Sequence, residues 1–382
     1  MIIYLSLVVP FITVFILYKY FNHKVVWWEL FLPIVLSALF IFGSKSLIES
    51  SQVQSKEYWG SLVTRAEYYE DWDEWISQTC TETYGCDSKG NNCKTRTYDC
   101  SYRRYHPAEY ILFTKNNEVI RVDEKEYFEV QRKFGNSNFV DLKRDYYEKN
   151  GNEYYTSWDG DPLKSVPTST IHYYENRVKV CDQSIFHFLE VTEGDRNKYS
   201  LKDYPELVSN YKLQSLLGYQ GGDFESLNNK LNYFNGLLGE KKQVRMFILI
   251  FENQPIEAAF YQECYWSGGN KNEFVLCIGV DKQKNIKWCK PFSWTTSEIL
   301  KVDLRNYVQS QQVLNLEDVI NQMKVEVSKN FSRRHFKEFN YLTVEPPLWA
   351  VIVTFILTVG LNFGLAYWCV VNDFNEDTSS SN

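Results

Sequence analysis

Residues 347–371 read PLWAVIVTFILTVGLNFGLAYWCVV, a run of 25 positions with no charged side chain. As a helix this run rises about 37 Å, more than the roughly 30 Å hydrocarbon core of a bilayer. Its rings gather near the ends, Trp349 at one and Tyr367 with Trp368 at the other, where an amphipathic ring sits well among headgroups. The stretch is read as a membrane helix, and the other apolar runs are judged against it.

Toward the N-terminus, residues 2–18 (IIYLSLVVPFITVFILY) are uncharged. Residues 30–43 (LFLPIVLSALFIFG) extend back through Val25, Val26, Trp27 and Trp28, with Glu29 the one interruption. Each reaches the length of a crossing, and lipid helices tolerate the internal Pro10 and Pro33. No basic segment precedes the first run and no small-x-small cleavage site follows it, so it is expected to be retained rather than removed as a signal peptide. The short link from Lys19 to Lys24 makes residues 1–44 a helical hairpin.

These runs are masked in the average, which is 44% apolar and 23% charged with a net charge of −7 and a mean hydropathy of −0.38. Few Gly and Pro and 17% aromatics exclude a collagen-like or disordered chain, and the acidic balance excludes nucleic-acid binding through a basic face. Three crossings place residues 45–346 on the same side as the N-terminus. Lys19 and Lys24 in the short link favour a cytoplasmic link, whereas Lys45, Lys56, Arg333, Arg334 and Lys337 flank the large domain. Short loops dominate orientation, so the large domain is expected to be extracytoplasmic, with an acidic tail at 372–382 on the other side.

The expected class is α+β and membrane-anchored, with a helix plus β-rich, Tyr/Cys-rich domain at 45–210 and an α/β domain at 211–346. Ser44 to Lys56 reads as a polar stalk. Glu57 to Gln78 carries Ala66, Tyr69, Trp72, Asp73 and Ile76 at helical spacing, so an amphipathic helix with a solvated acidic face is expected. From Cys80 to Val122 alternation predicts strands around a turn at Gly90-Asn91-Asn92, ending in a hairpin turned at Lys115-Asn116-Asn117-Glu118. Helices are expected at Glu124 to Lys133 and at Phe224 to Leu238, the second closed by Gly239. Gln243 to Glu252 and Glu273 to Asp281 are continuous apolar strands flanking a helix at Pro255 to Trp266. That is a βαβ unit with parallel strands, followed by a strand at Ile286 to Pro291 and helices near Leu300 to Gln309 and Leu316 to Phe331.

The most specific local feature is Cys80, Cys86, Cys93 and Cys100, spaced C-x5-C-x6-C-x6-C. Two disulfides in an oxidising compartment, a structural zinc aided by His106, and free buried thiols are the readings these residues allow. Cys264 and Cys277 fall on a helix and a buried strand, where Cys serves as a small hydrophobe. No metalloprotease, P-loop, dinucleotide or nucleophile-elbow motif occurs, so the sequence assigns no catalytic residue, and no resident metal or cofactor is expected. The loop Trp266, Ser267, Gly268, Gly269, Asn270, Lys271 and Asn272 is the candidate ligand-facing turn, set against the plainer reading that its glycines simply make the turn.

Several stretches carry a resemblance: Glu57-Tyr58-Trp59-Gly60, Ala66 to Trp75 with Thr79-Cys80, Tyr98-Asp99-Cys100-Ser101-Tyr102, Gly268 to Gly279, Phe292-Ser293-Trp294-Thr295, and Phe339 to Pro346. With these the chain resembles an uncharacterised family of membrane proteins found in tailed phages and bacteria, which implies a phage or phage-derived gene. Residues 243–331 are weakly similar to the TPM-domain family, with Tyr265 to Glu273 in the place of its Trp-Gly-rich turn. Some members of that family are described as phosphatases. Here Lys271-Asn272-Glu273 stands where the family has Asp-Asn-Gly.

The leading expectation is a non-enzymatic membrane-anchored protein whose aromatic-rich domain binds a partner protein or modifies the host envelope. The alternative is a TPM-like tethered phosphatase or hydrolase, for which Glu263, Glu273 and Asp281 should converge beside the 266–273 turn. A transporter ranks last, since Glu29 is the one charge inside a crossing.

Overall fold

The computed structural model describes residues 2–21, 26–86, 93–141, 151–181, 188–209 and 211–372. The expected turn at 90–92, residues 22–24 of the link and the tail from 373 onward lie outside the described residues. Two compact units form, one from Met1–Lys56, Tyr173–His187 and His335–Asn382, the other from Glu57–His172 and Phe188–Arg334.

The first unit is helical. A 3-10 turn (Ile2–Leu7) leads into α1 (Val8–Phe21), and α2 covers Trp27–Val53. With a third helix, Leu348–Asn372, these make three helices long and apolar enough to cross a membrane, with mean hydropathies of 2.1, 1.9 and 2.1. Leu5, Phe15, Phe31, Leu39 and Phe363 stand exposed on them, a surface suited to lipid. The buried side mixes apolar Ile3, Leu17, Ile41 and Ala350 with polar Ser37, Thr354, Thr358 and Asn362. Asn362 donates to the Ser37 hydroxyl at 2.8 Å, and Thr354 and Thr358 return their hydroxyls to carbonyls one turn back. The Asn362–Ser37 bond joins two of these apolar helices, whereas the threonine bonds stay within one. The polar stalk expected at 44–56 is absent: α2 runs to Val53 and the first strand begins at Gln54. Ser, Gln and Lys weaken a membrane helix but none of them stops one, and no Gly or Pro interrupts residues 44–56.

In the second unit the chain continues through β1 (Gln54–Tyr69), β2 (Trp72–Ile76), β3 (Thr79–Tyr84), β4 (Lys94–Asp99) and β5 (Tyr102–His106). The helix expected at 57–78 is thus replaced by two strands. The local spacing imitated a helix, but the stretch is rich in Tyr, Trp, Val and Thr, and β1 gains ladders on both edges from partners far along the chain. Those partners follow as β6 (Glu109–Thr114), β7 (Val119–Arg121), α3 (Glu124–Phe134), β8 (Asn138–Val140), β9 (Glu153–Ser157) and β10 (Pro167–Glu175). The sheet order is β7-β6-β1-β9-β8, with β10 also paired to β1. The β6–β7 hairpin turns at Asn117, which adopts a left-handed φ of 62°. Asp123 caps α3, accepting from the Glu126 amide at 2.8 Å, and the helix packs Tyr127 and Val130 into the core with Val63 and Leu112.

The α/β part comprises α4 (Glu193–Tyr199), β11 (Leu216–Leu217), α5 (Phe224–Lys242), β12 (Arg245–Glu252), α6 (Glu257–Tyr265), β13 (Glu273–Val280), β14 (Ile286–Ser293), α7 (Glu298–Ser310) and α8 (Leu316–Asn330). The apolar helix Leu348–Asn372, the third candidate span, is α9. The strand order is β11-β12-β13-β14, and β12 and β13 are parallel across α6, as the βαβ pattern requires. Both faces are covered. Met246, Ile248, Phe274 and Leu276 meet the helices α5, α7 and α8, while Phe247, Leu249 and Val275 pack with Trp266, Ala258 and Ala259. The helix α5 does not stop at Gly239 but continues to Lys242. A Cβ on Gly239 would stand 1.8 Å from the Gly60 carbonyl oxygen, so this glycine lets α5 lie directly on β1.

Candidate functional site

The strands β2 to β5 make one antiparallel ribbon. Trp72 pairs with His106 through to Ile76 with Tyr102, then Thr79 with Asp99 through to Tyr84 with Lys94. Both parts are two-stranded sheets, so each strand has a single ladder partner. Every residue of β4 is exposed, as are all of β3 except Cys80. A bare two-stranded ribbon is marginal in water. This one is stapled by nested disulfides, Cys80–Cys100 and Cys86–Cys93, which resolves the three readings of these cysteines. Closing loops of 20 and 7 residues removes unfolded-chain entropy worth about 3 and 2.5 kcal/mol in the chain-entropy view.

Strand alternation sorts the side chains of the ribbon. Thr79, Thr81, Thr83, Thr95 and Thr97 share one face, and Tyr98, Glu82, Arg96, Tyr84 and Lys94 the other. Glu82 and Arg96 pair across the strands at 2.7 Å. The rings of Tyr84, Tyr98, Tyr102 and Tyr105 are all left in solvent, Tyr105 at 62% exposure. The base is fixed differently. Trp72 stacks on His106 at 4.4 Å, and the His106 ring meets Glu74 at 2.8 Å. Trp72 also packs against the backbone of Gly151, whose φ of 85° and want of a Cβ permit the approach.

The second sequence candidate, the turn from Trp266 to Asn272, is closed on itself. Ser267, Gly268 and Gly269 take consecutive left-handed φ angles of 51°, 77° and 77°. Most of the polar groups then find partners within the fold, the buried Asn272 Oδ1 being the exception. The Asn270 amide donates to Glu273 at 2.7 Å, and its side chain donates to Glu273 and to the Tyr204 hydroxyl, both at 2.9 Å. Tyr204 donates in turn to Glu273. Asn272 donates to the Tyr58 carbonyl at 2.8 Å, and Trp266 to that of Lys202 at 2.9 Å. Lys271 stands 3.8 Å from Glu57, which Arg333 also pairs. Burial raises the Glu273 carboxyl and the Tyr204 phenol above their ordinary values, and it lowers the Lys271 ammonium against the pull of Glu57. The plainer reading of this loop is the one its geometry favours: it is a structural knot under the sheet.

The three carboxylates a hydrolase would bring together are apart. Glu273 opens β13 and Asp281 follows its far end, Glu263 lies on α6 paired with Lys290, and Asp281 is held by Asn285 at 2.8 Å and Lys287 at 2.9 Å. Among the described residues no group of three His, Cys, Asp or Glu is placed to hold a metal. Cys277 and Cys289 are buried thiols, and burial drives both upward, Cys289 to about 12, away from nucleophilic use. The exposed tyrosines lay within the expected strands. Their grouping became visible only with the ribbon register, which depends on β2, a strand the helical spacing had concealed. No family model, curated protein or solved structure matches the chain.

Proposed function

We propose that the chain is an integral membrane protein, phage-encoded or phage-derived, whose large domain stands on the extracytoplasmic side and binds a partner protein through the stapled ribbon. The observation that carries this reading is the ribbon itself: two nested disulfides hold four exposed tyrosines on strands that pair with nothing else. Tyr supplies contact area at low conformational cost, and a stapled support loses little further entropy on binding. Disulfides also suit an oxidising compartment, in agreement with the charge on the short link. Recognition of this kind needs no cofactor.

The test has two arms. An impermeant maleimide applied to intact cells should label Cys80, Cys86, Cys93 and Cys100 only after a reductant, which fixes both side and redox state. A photo-crosslinking residue at Tyr98 should give one discrete adduct in oxidised cells. The same residue in a Cys80→Ser/Cys100→Ser background should lose it. Labelling confined to permeabilised cells, or an adduct indifferent to the disulfides, overturns the proposal.

A further inference from the structure

Away from the ribbon, a cleft of about 720 Å3 lies between α3, α5 and the segment 208–214. Its size is that of a small-molecule site and is far larger than a single oxyanion needs. The side chains on its walls show a bias. Asn228 uses its carbonyl oxygen to accept from the amides of Ser215 and Leu216, at 3.0 and 3.1 Å. Asn232 uses its own to accept from Ser215 and Arg245, at 2.6 and 2.9 Å. The Ser169 hydroxyl accepts from Arg245 at 2.5 Å, leaving its proton to give. With these acceptors turned inward, the two amide NH2 groups and this hydroxyl are left for the cleft, whose lining also carries the Glu129 and Glu225 carboxylates, the Arg132 guanidinium and the Gln214 side chain, its NH2 turned to the Leu216 carbonyl.

Two ammonium groups line the same space. Lys133 comes from α3, with one proton toward the Ser165 carbonyl at 3.3 Å, and Lys212 comes from the opposite strip, held by Glu129 at 2.8 Å. Behind Ser169 and Asn232 lies the fully buried Arg245, whose hydrogen bonds all go to neutral acceptors. Glu273, its neighbour across the strands, acts on it through space. Burial, and then the like charge of Lys212, pull the Lys133 ammonium down from its ordinary value, with Glu225 opposing. An anion in the cleft reverses that strain. Phe224 and the exposed Val208 add apolar surface to the lining.

We infer that this cleft binds a phosphoryl group attached to a small organic body, with Lys133, Lys212, Asn228, Asn232 and Ser169 donating to its oxygens. Arg132, Lys133 and Lys212 outnumber Glu129 and Glu225 by one charge, and with the amide and hydroxyl donors this suits an oxyanion with three free acceptors better than a planar carboxylate, the remaining volume taking the organic part. A soluble phosphomonoester and a lipid headgroup share this chemistry.

The experiment uses the full chain in maltoside micelles, which carry no phosphate, with binding read by titration calorimetry. Glycerol 3-phosphate and dihexanoyl phosphatidylglycerol are the phosphorylated probes, and glycerol and glycerate are the controls. At least one phosphorylated probe should bind roughly tenfold or more tightly than either control, and the tighter of the two names the source. Lys133→Met should weaken that binding roughly tenfold. Asn228→Asp keeps the inward acceptor while replacing the donor with a negative oxygen, and it should abolish binding with an unchanged melting profile. Silence of both phosphorylated probes at about 10 mM, equal binding of glycerate, or wild-type affinity in Asn228→Asp overturns the inference.

Discussion

At Gly239 the last turns of α5 cross β1 with no room for a methyl group, since an added Cβ would meet the Gly60 carbonyl oxygen at 1.8 Å. A helix-interior Gly→Ala change ordinarily stabilises by about 1 kcal/mol. Here overpacking against backbone, about 3 kcal/mol or more, exceeds that gain. Gly239→Ala should therefore lower stability by about 2 kcal/mol net, whereas Gly194→Ala in α4, whose nearest neighbour would be 3.6 Å away, should be neutral or slightly stabilising. Thermal unfolding followed by near-ultraviolet dichroism separates the two. Glu273 gives a second residue-level test. Burial raises its folded-state pKa above the ordinary 4.5, so the folded state holds the proton more tightly than the unfolded one. Stability from this group therefore falls as pH rises from about 4.5 through the folded value and is constant above it. Chemical unfolding from pH 4 to 8 should show the wild type losing ground to Glu273→Gln as pH rises. The opposite slope would mean that the hydrogen bonds from Tyr204 and Asn270 outweigh burial.

Among the elements, the ribbon is the one whose stability is separable from the core. Its strands pair only with each other, so removing Cys80–Cys100 acts on the ribbon and hardly on the main sheet. The double variant Cys80→Ser/Cys100→Ser should become cleavable by trypsin at the exposed Lys94 and Arg96, while the main unfolding transition moves by less than about 1 kcal/mol. A concerted loss of both would show that the ribbon is built into the core. The elements also show what the sequence disclosed. The βαβ unit was legible because β12 and β13 are buried on both faces and so need continuous apolar runs. β1 was not. Its burial follows from ladders to residues 109–114 and 153–157, contacts that no local window contains, and Ala66, Tyr69, Trp72 and Ile76 happened to fall at helical spacing. The same gap hid the register that places the exposed tyrosines along one stapled ribbon, although the four cysteines marked the place. Gly239 was read as a helix stop because a helix-ending glycine and a close-packing glycine are written alike.

For the whole molecule, the decisive circumstance is that the second unit, built from Glu57–His172 and Phe188–Arg334, has its first and last residues at Glu57 and Arg334. Those ends are clasped. The Glu57 carboxylate, 2% exposed, pairs with Arg333 across 276 residues of sequence and also accepts from the Trp59 indole at 2.9 Å. A buried carboxylate that loses its partner keeps its desolvation cost, so Arg333→Met should destabilise the unit by about 3 to 5 kcal/mol. Lys271, 3.8 Å from the same carboxylate, remains to offset part of that loss. Glu57→Gln together with Arg333→Met removes the stranded charge, and the pair should recover a large part of that loss. The double-mutant cycle, read by chemical unfolding in micelles, gives the coupling directly. Additive losses would place the closure of the unit in the apolar packing of α5 on β1 instead.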